Sequence, residues 1–163
     1  MVPLGWSARI TADLGPPTLF YAVSQAALAI EVRADDAQAR ALCRTITHWP
    51  TEWACFAERA CLRVLEGGCS VPVAVHTTHV PAEYGAQRGR LCITGVVTSL
   101  GGERLVEHTI EEEVGSLEEA EAVGARLAKV LVETGAKEIP DEINVDSEKR
   151  VAEAKANDEE INI

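Results

Sequence analysis

A chain of 163 residues, 47% apolar and 25% charged, is long enough for one well-packed domain plus part of another, and its make-up is that of a globular protein rather than a disordered one. Its 26 acidic against 15 basic side chains leave a net charge of −11, the wrong sign for a nucleic-acid backbone or an anionic membrane surface. No apolar run reaches bilayer-spanning length, and the opening MVPLGWSARI lacks the basic flank and apolar stretch of a leader, so the chain reads as soluble and cytoplasmic.

The first residues read as the tail of something already under way, and Leu14–Thr18, with Gly15, Pro16 and Pro17, as a loop. Ala27–Val32 (ALAIEV) is a short apolar run with β-branched members, long enough for a strand. The ADD of Ala34–Asp36 then supplies an N-cap for a helix over about Ala37–Thr45.

A second helix is expected from Thr51 as cap, with Glu52 in its first turn and Trp53, Phe56, Ala57, Ala60, Cys61, Val64 and Leu65 recurring at three- and four-residue steps. Cys55 and Cys61 fall on this helix as packing residues. Gly67 or Gly68 stands where a left-handed residue would end it.

Three strands follow: VPVAVHT from Val71, RLCITGVVTS from Arg90 and RLVEHTIEE from Arg104, the last two joined through LGGE, a hairpin signal. Pro72 fits the start of the first strand. The stretch THVPAEYGAQRG after it reads as a long polar loop. Ser116 and Glu119 make a capping-box pattern for the last helix, which carries Leu117, Ala120, Val123, Leu127, Val130 and Leu131 on one face and stops at Gly135. Residues 141–163 hold eight carboxylates against three cations and little to bury, an acidic tail.

The expected fold class is therefore α+β: a small three-stranded antiparallel sheet packed with helices over residues 47–140, preceded in residues 1–46 by a strand and a helix.

Five cysteines (Cys43, Cys55, Cys61, Cys69 and Cys92) without a C-x-x-C pair argue for reduced thiols rather than a disulfide framework. The four histidines do not pair with a cysteine doublet, so no metal site is assigned, and the HTTH of His76–His79 reads as two surface histidines. Cys69 has two readings at this point. It is a small filler after two helix-ending glycines, or a thiol that holds a covalent group.

The order of helix, Leu65-Glu66-Gly67-Gly68-Cys69 and a strand entered through Val71-Pro72 resembles the C-terminal part of the porphobilinogen deaminase (hydroxymethylbilane synthase) family, with its LEGGCxVP loop. AVSQAALAIEVRADD (Ala22–Asp36) is similar to that family's AVGQGALxIExRxDD. HWPTEWACFAERACLRVLEGGCSVP, ITGVVTSLGGERLVEH and LVETGAKEI continue the likeness in order, over about Leu4–Glu142.

The resemblance implies an enzyme of tetrapyrrole and heme biosynthesis, a transferase that joins four porphobilinogens head to tail with release of ammonia. It also implies a dipyrromethane cofactor held by a thioether to Cys69, with Gly67 and Gly68 leaving room beside it and Gln25 close by; no other catalytic residue is assigned here. A cysteine sulfur attacks the electrophile left by ammonia loss once and stays attached, acting as an anchor. After a helix C-terminus such a thiol faces the negative end of the dipole, which disfavours a standing thiolate.

The chain departs from the family pattern at Ser24, Ala26 and Ala29, where the family shows glycine; their β-carbons would narrow the space available to the pyrroles. Arg33, Glu58 and Arg59 are assigned no chemistry. The arginines are scattered rather than gathered into a cleft for acetate and propionate groups, so the chain is expected to be a C-terminal fragment, inactive alone. The resemblance also implies that the strand and helix of residues 1–46 are a remnant of the preceding α/β domains, whose uncovered apolar faces would make it loosely ordered or prone to association. Its expected partners in the complete enzyme, a monomer, are porphobilinogen and the growing oligopyrrole. Two alternatives are a non-catalytic interaction module derived from the same domain and an unrelated α+β thiol protein.

Overall fold

The computed structural model describes residues 4–65, 72–82, 87–136, 138 and 139. Gly67, Gly68, Cys69 and the acidic stretch from residue 141 lie outside the described residues.

Helix α1 (Ala37–Ile46) begins where Asp36 accepts a hydrogen bond from the Ala39 N–H, as the ADD signal requires. It buries none of its residues, and Leu42 and Ile46 stay exposed. Ala27–Val32 does not form the expected strand. A run of this kind becomes a strand only when a neighbour completes its hydrogen-bond ladder, and no described strand lies against it; Leu28 and Ile30 are exposed.

Helix α2 (Trp49–Val64) is capped at His48, three residues before the expected cap Thr51. Pro50 explains the shift: at the first turn its missing N–H leaves nothing unsatisfied, so the helix can begin ahead of it with His48 as cap. Thr51 Oγ1 instead shares a 2.8 Å hydrogen bond with His48 Nδ1. Trp53, Ala57, Ala60 and Cys61 are buried, but Phe56 and Val64, placed in the same stripe by spacing, face outward.

The sheet is an antiparallel meander of β1 (Val73–Pro81), β2 (Gly89–Thr98) and β3 (Leu105–Val114), in the order β1-β2-β3. Strand β1 runs on through Thr78, His79 and Val80, which sequence placed in a loop. It lies at a sheet edge, which is why it tolerates Pro81. The LGGE hairpin is present: Gly102 takes φ 76°, the Gly102 N–H donates to the Ser99 carbonyl at 3.0 Å, and the Arg104 N–H donates to Ser99 Oγ at 3.1 Å.

Helix α3 (Leu117–Leu131) has the expected cap. The Glu119 N–H donates to Ser116 Oγ at 3.1 Å, and Glu119 Oε2 reaches back to the Gly115 N–H at 2.6 Å, one residue before the position a standard box would use. A π turn over Val132–Ala136 follows, in which Gly135 takes φ 107°.

Helices α2 and α3 pack side by side on one face of the sheet. Because strand side chains alternate, Leu91, Ile93, Gly95 and Val97 of β2 share that face and meet Val123, Leu127 and Leu131 of α3. Gly95 is required here, since a β-carbon would stand 2.9 Å from Leu131 Cδ1 and 3.1 Å from a Leu127 methyl. The helices come into close contact at Gly124, where a β-carbon would overlap the Ala57 carbonyl.

Candidate functional site

Tyr21 ties the N-terminal segment to the sheet edge: its N–H donates to the Val75 carbonyl at 3.1 Å, and its carbonyl accepts from the Val75 N–H at 2.8 Å. The chain then doubles back in the turn Ala22–Ala27. The Gln25 N–H donates to the Ala22 carbonyl at 3.0 Å and the Ala27 N–H to the Ser24 carbonyl at 3.2 Å. Ser24 and Ala26 lie at φ 58° and φ 66°, the left-handed region, where an L-residue with a β-carbon costs about 1–2 kcal/mol. These are two of the three positions at which the chain departs from the glycines of the resembling pattern. The consequence of those departures is backbone strain as well as added bulk.

Gln25 Oε1 accepts from the Ala22 N–H at 2.9 Å, so half of this amide serves the turn and its Nε2 group remains to donate outward. The Ser24 N–H leaves the turn and donates to Glu58 Oε2 of α2 at 2.7 Å, spanning 34 residues. Glu58 was given no role by sequence alone. Its only signal was a carboxylate just off the buried stripe of α2.

The turn, the first half of α2 and β1 enclose an open cleft of about 350 Å³, lined by Gln25, Ala26, Thr51, Cys55, Glu58 and His79, among others. Ser24 Oγ, Thr77 Oγ1 and both ring nitrogens of His79 are shielded from solvent here without a partner among the described residues.

His79 is the second residue that sequence misjudged. Three residues apart on one strand, His76 and His79 point to opposite faces and cannot share a ligand. His76 meets Tyr21 edge-on at 5.9 Å between ring centroids, whereas His79 stands edge-on to Trp49 at 4.8 Å and Trp53 at 5.9 Å. Among the described residues no group of three or more His, Cys, Asp or Glu side chains could hold a metal ion.

Burial holds the His79 pKa below its ordinary 6.5, with the Glu113 carboxylate opposing in part. The sign follows: below about pH 6.5 the unfolded chain takes up a proton that the folded ring resists, so stability falls as pH drops through that value. His79→Leu is expected to flatten the slope of the urea midpoint between pH 5 and pH 7. An unchanged slope would assign the acid sensitivity to other groups.

Cys61 is buried in the core, and its pKa is pushed up to about 12, first by burial and then by the Glu58 carboxylate. That makes it an inert packing thiol, as its place on the α2 stripe suggested. Cys55 is partly exposed and lines the cleft. The arginines do not converge: Arg63 pairs with Glu121, Arg90 with Glu111 at 3.0 Å, Arg104 with Glu138 at 2.9 Å and Arg126 with Glu112.

Such a structure defines a class: a small α+β domain with two helices on one face of a three-stranded meander, and a strained turn closing a cleft beside the first half of α2. Comparison with known proteins makes the class specific. Residues 53–133, from the first turns of α2 to the turn after α3, match the family model described as porphobilinogen deaminase, C-terminal domain.

Relatives named porphobilinogen deaminase include one from Debaryomyces hansenii, 36% identical over 88% of this chain and 38% of its own length. One from a Nostoc species is 43% identical over 83% of this chain and 39% of its own. Another, from Synechococcus elongatus, is 45% identical over 86% and 41%. The chain belongs to the porphobilinogen deaminase family and carries that family's C-terminal portion. It spans about two fifths of the length of these relatives.

Proposed function

We propose that this chain is the cofactor-anchoring portion of a hydroxymethylbilane synthase, with Cys69 as the anchor. The observation that supports this most is one of position. The family match over residues 53–133 brackets Cys69, which follows α2 and precedes β1 within the LEGGC stretch.

The described residues suit a dipyrromethane in kind, at a cleft that lies along the first half of α2, whereas Cys69 follows the other end of that helix in the sequence. A cleft of about 350 Å³ is within the range of small-molecule sites, and its polar groups that lack protein partners match a ligand bearing pyrrole N–H and carboxylate functions. Cys69 Sγ would hold the group by a thioether, and Gln25 Nε2 with the Ser24 and Thr77 hydroxyls would donate to any of its carboxylates that reach the cleft. Once bound, the cofactor supplies the free pyrrole carbon from which the chain of porphobilinogens grows. Gly67 and Gly68 beside the anchor give the backbone freedom to pass a bulky substituent.

Among the described residues Arg63, Arg90, Arg104 and Arg126 each face a glutamate, and on this proposal the several substrate carboxylates fall to cations from other parts of the complete protein. The complete protein is expected to consume porphobilinogen and release one ammonia for each unit joined, while residues 1–163 alone are expected to be inactive. Failure of the complete protein to release ammonia from porphobilinogen would overturn the reading. The exposed Leu28, Ile30, Leu42 and Ile46 favour the second reading, an interaction module; in that case Cys69 carries no adduct.

A further inference from the structure

Ser24 and Ala26 both hold positive φ, although neither is glycine, in a turn only six residues long. Within it, the bonds from Gln25 N–H to the Ala22 carbonyl and from Ala27 N–H to the Ser24 carbonyl close the backbone, and Gln25 Oε1 on the Ala22 N–H folds the side chain back over it. These are local and partly exposed bonds, of a sort that water replaces readily. The bond that comes from outside is the Ser24 N–H to the Glu58 carboxylate at 2.7 Å, a charge-assisted bond to a residue on the rigid, packed helix α2.

Strained backbone persists where its surroundings over-determine it. We propose that Glu58 is a positioning residue: its carboxylate holds the Ala22–Ala27 turn in a left-handed form that the turn's own residues disfavour, and so fixes where Gln25 meets the cleft. The Tyr21–Val75 pair anchors the near end of the turn to β1, and Glu58 anchors its middle to α2. Freed from Glu58, Ser24 and Ala26 would relax to negative φ, which reverses the path of the chain between them and swings Gln25 off the cleft wall. The clamp stands apart from the functional reading, whereas its value for catalysis rests on that reading.

The test uses nuclear magnetic resonance on the full chain. In the unsubstituted protein, Ser24 and Ala26 should show the strong intraresidue HN–Hα contact of left-handed residues, and the Ser24 amide should exchange slowly. Glu58→Ala should abolish both signatures and speed Ser24 exchange by about tenfold or more, with the Ile93 and Leu127 amides of the core unchanged. Glu58→Gln, which keeps an acceptor oxygen, should retain the left-handed form with intermediate exchange; it also serves if Glu58→Ala fails to fold.

Adding Ser24→Gly and Ala26→Gly to Glu58→Ala should restore positive φ at both positions, because glycine needs no clamp there. If Ser24 and Ala26 stay left-handed in Glu58→Ala, or if Ser24 exchanges equally fast with and without Glu58, the proposal is overturned. In the complete protein, Glu58→Ala should lower kcat and Glu58→Gln should recover part of it. Unchanged turnover together with the expected spectra would keep the clamp and remove Gln25 from the functional reading.

Discussion

Gly124→Ala is expected to destabilise the domain by about 3 kcal/mol, the upper end of what overpacking costs in a well-filled core. The cause lies in the α2–α3 crossing. A β-carbon at this position would overlap the Ala57 carbonyl and stand 2.9 Å from Ala57 Cα, and both are backbone atoms that no rotamer change can move aside. The helices would have to separate along their length, loosening Cys61, Val123 and Leu127, all fully buried. In isolation the same substitution would favour the helix by up to about 1 kcal/mol, so the sign of the effect separates the two explanations for a glycine here. A urea titration reads it directly: a midpoint that rises would show that the helices do not meet as described.

Cys69→Ser in the complete protein should leave the fold intact and remove activity, a loss of at least roughly 10³-fold. The two side chains are close in size, and the position follows α2 in the sequence. The hydroxyl, however, is a far weaker nucleophile than the sulfur and is not expected to trap the electrophile left when ammonia departs from porphobilinogen. Without that bond there is no tethered primer to extend. Thermal unfolding within a few degrees of the parent, alongside lost turnover, would separate an anchor from a packing residue. Retained activity would dismiss the anchor.

What was legible in the sequence followed from local signals. The Asp36 cap, the Ser116–Glu119 pairing and the Gly101–Gly102 turn each act within a few residues, and the structure places an element at every one. What was illegible depends on partners distant in the chain. Ala27–Val32 has the composition of a strand and finds no ladder to join among the described residues.

His79 looked like a loop residue because it falls in the long polar stretch THVPAEYGAQRG. It is held in β1 by pairing with Leu91 and by the ring edges of Trp49 and Trp53, residues contributed by another element. Gly124 reads as a flaw in an otherwise strong helix until Ala57 is seen against it. Ser24 and Ala26 gave no sign of positive φ in themselves, and Glu58 shows its purpose only when the turn it grips is in view. Of the proposed site, Gln25 is seen at the cleft, whereas Gly67, Gly68 and Cys69 fall outside the described residues and rest on the family match.

The account turns on one covalent bond, and mass spectrometry of the complete protein reads it. The intact mass should exceed that of the bare polypeptide by two porphobilinogens less two ammonias, and peptide mapping should place the addition on Cys69. An active protein whose Cys69 peptide has the mass of an unmodified thiol would contradict it.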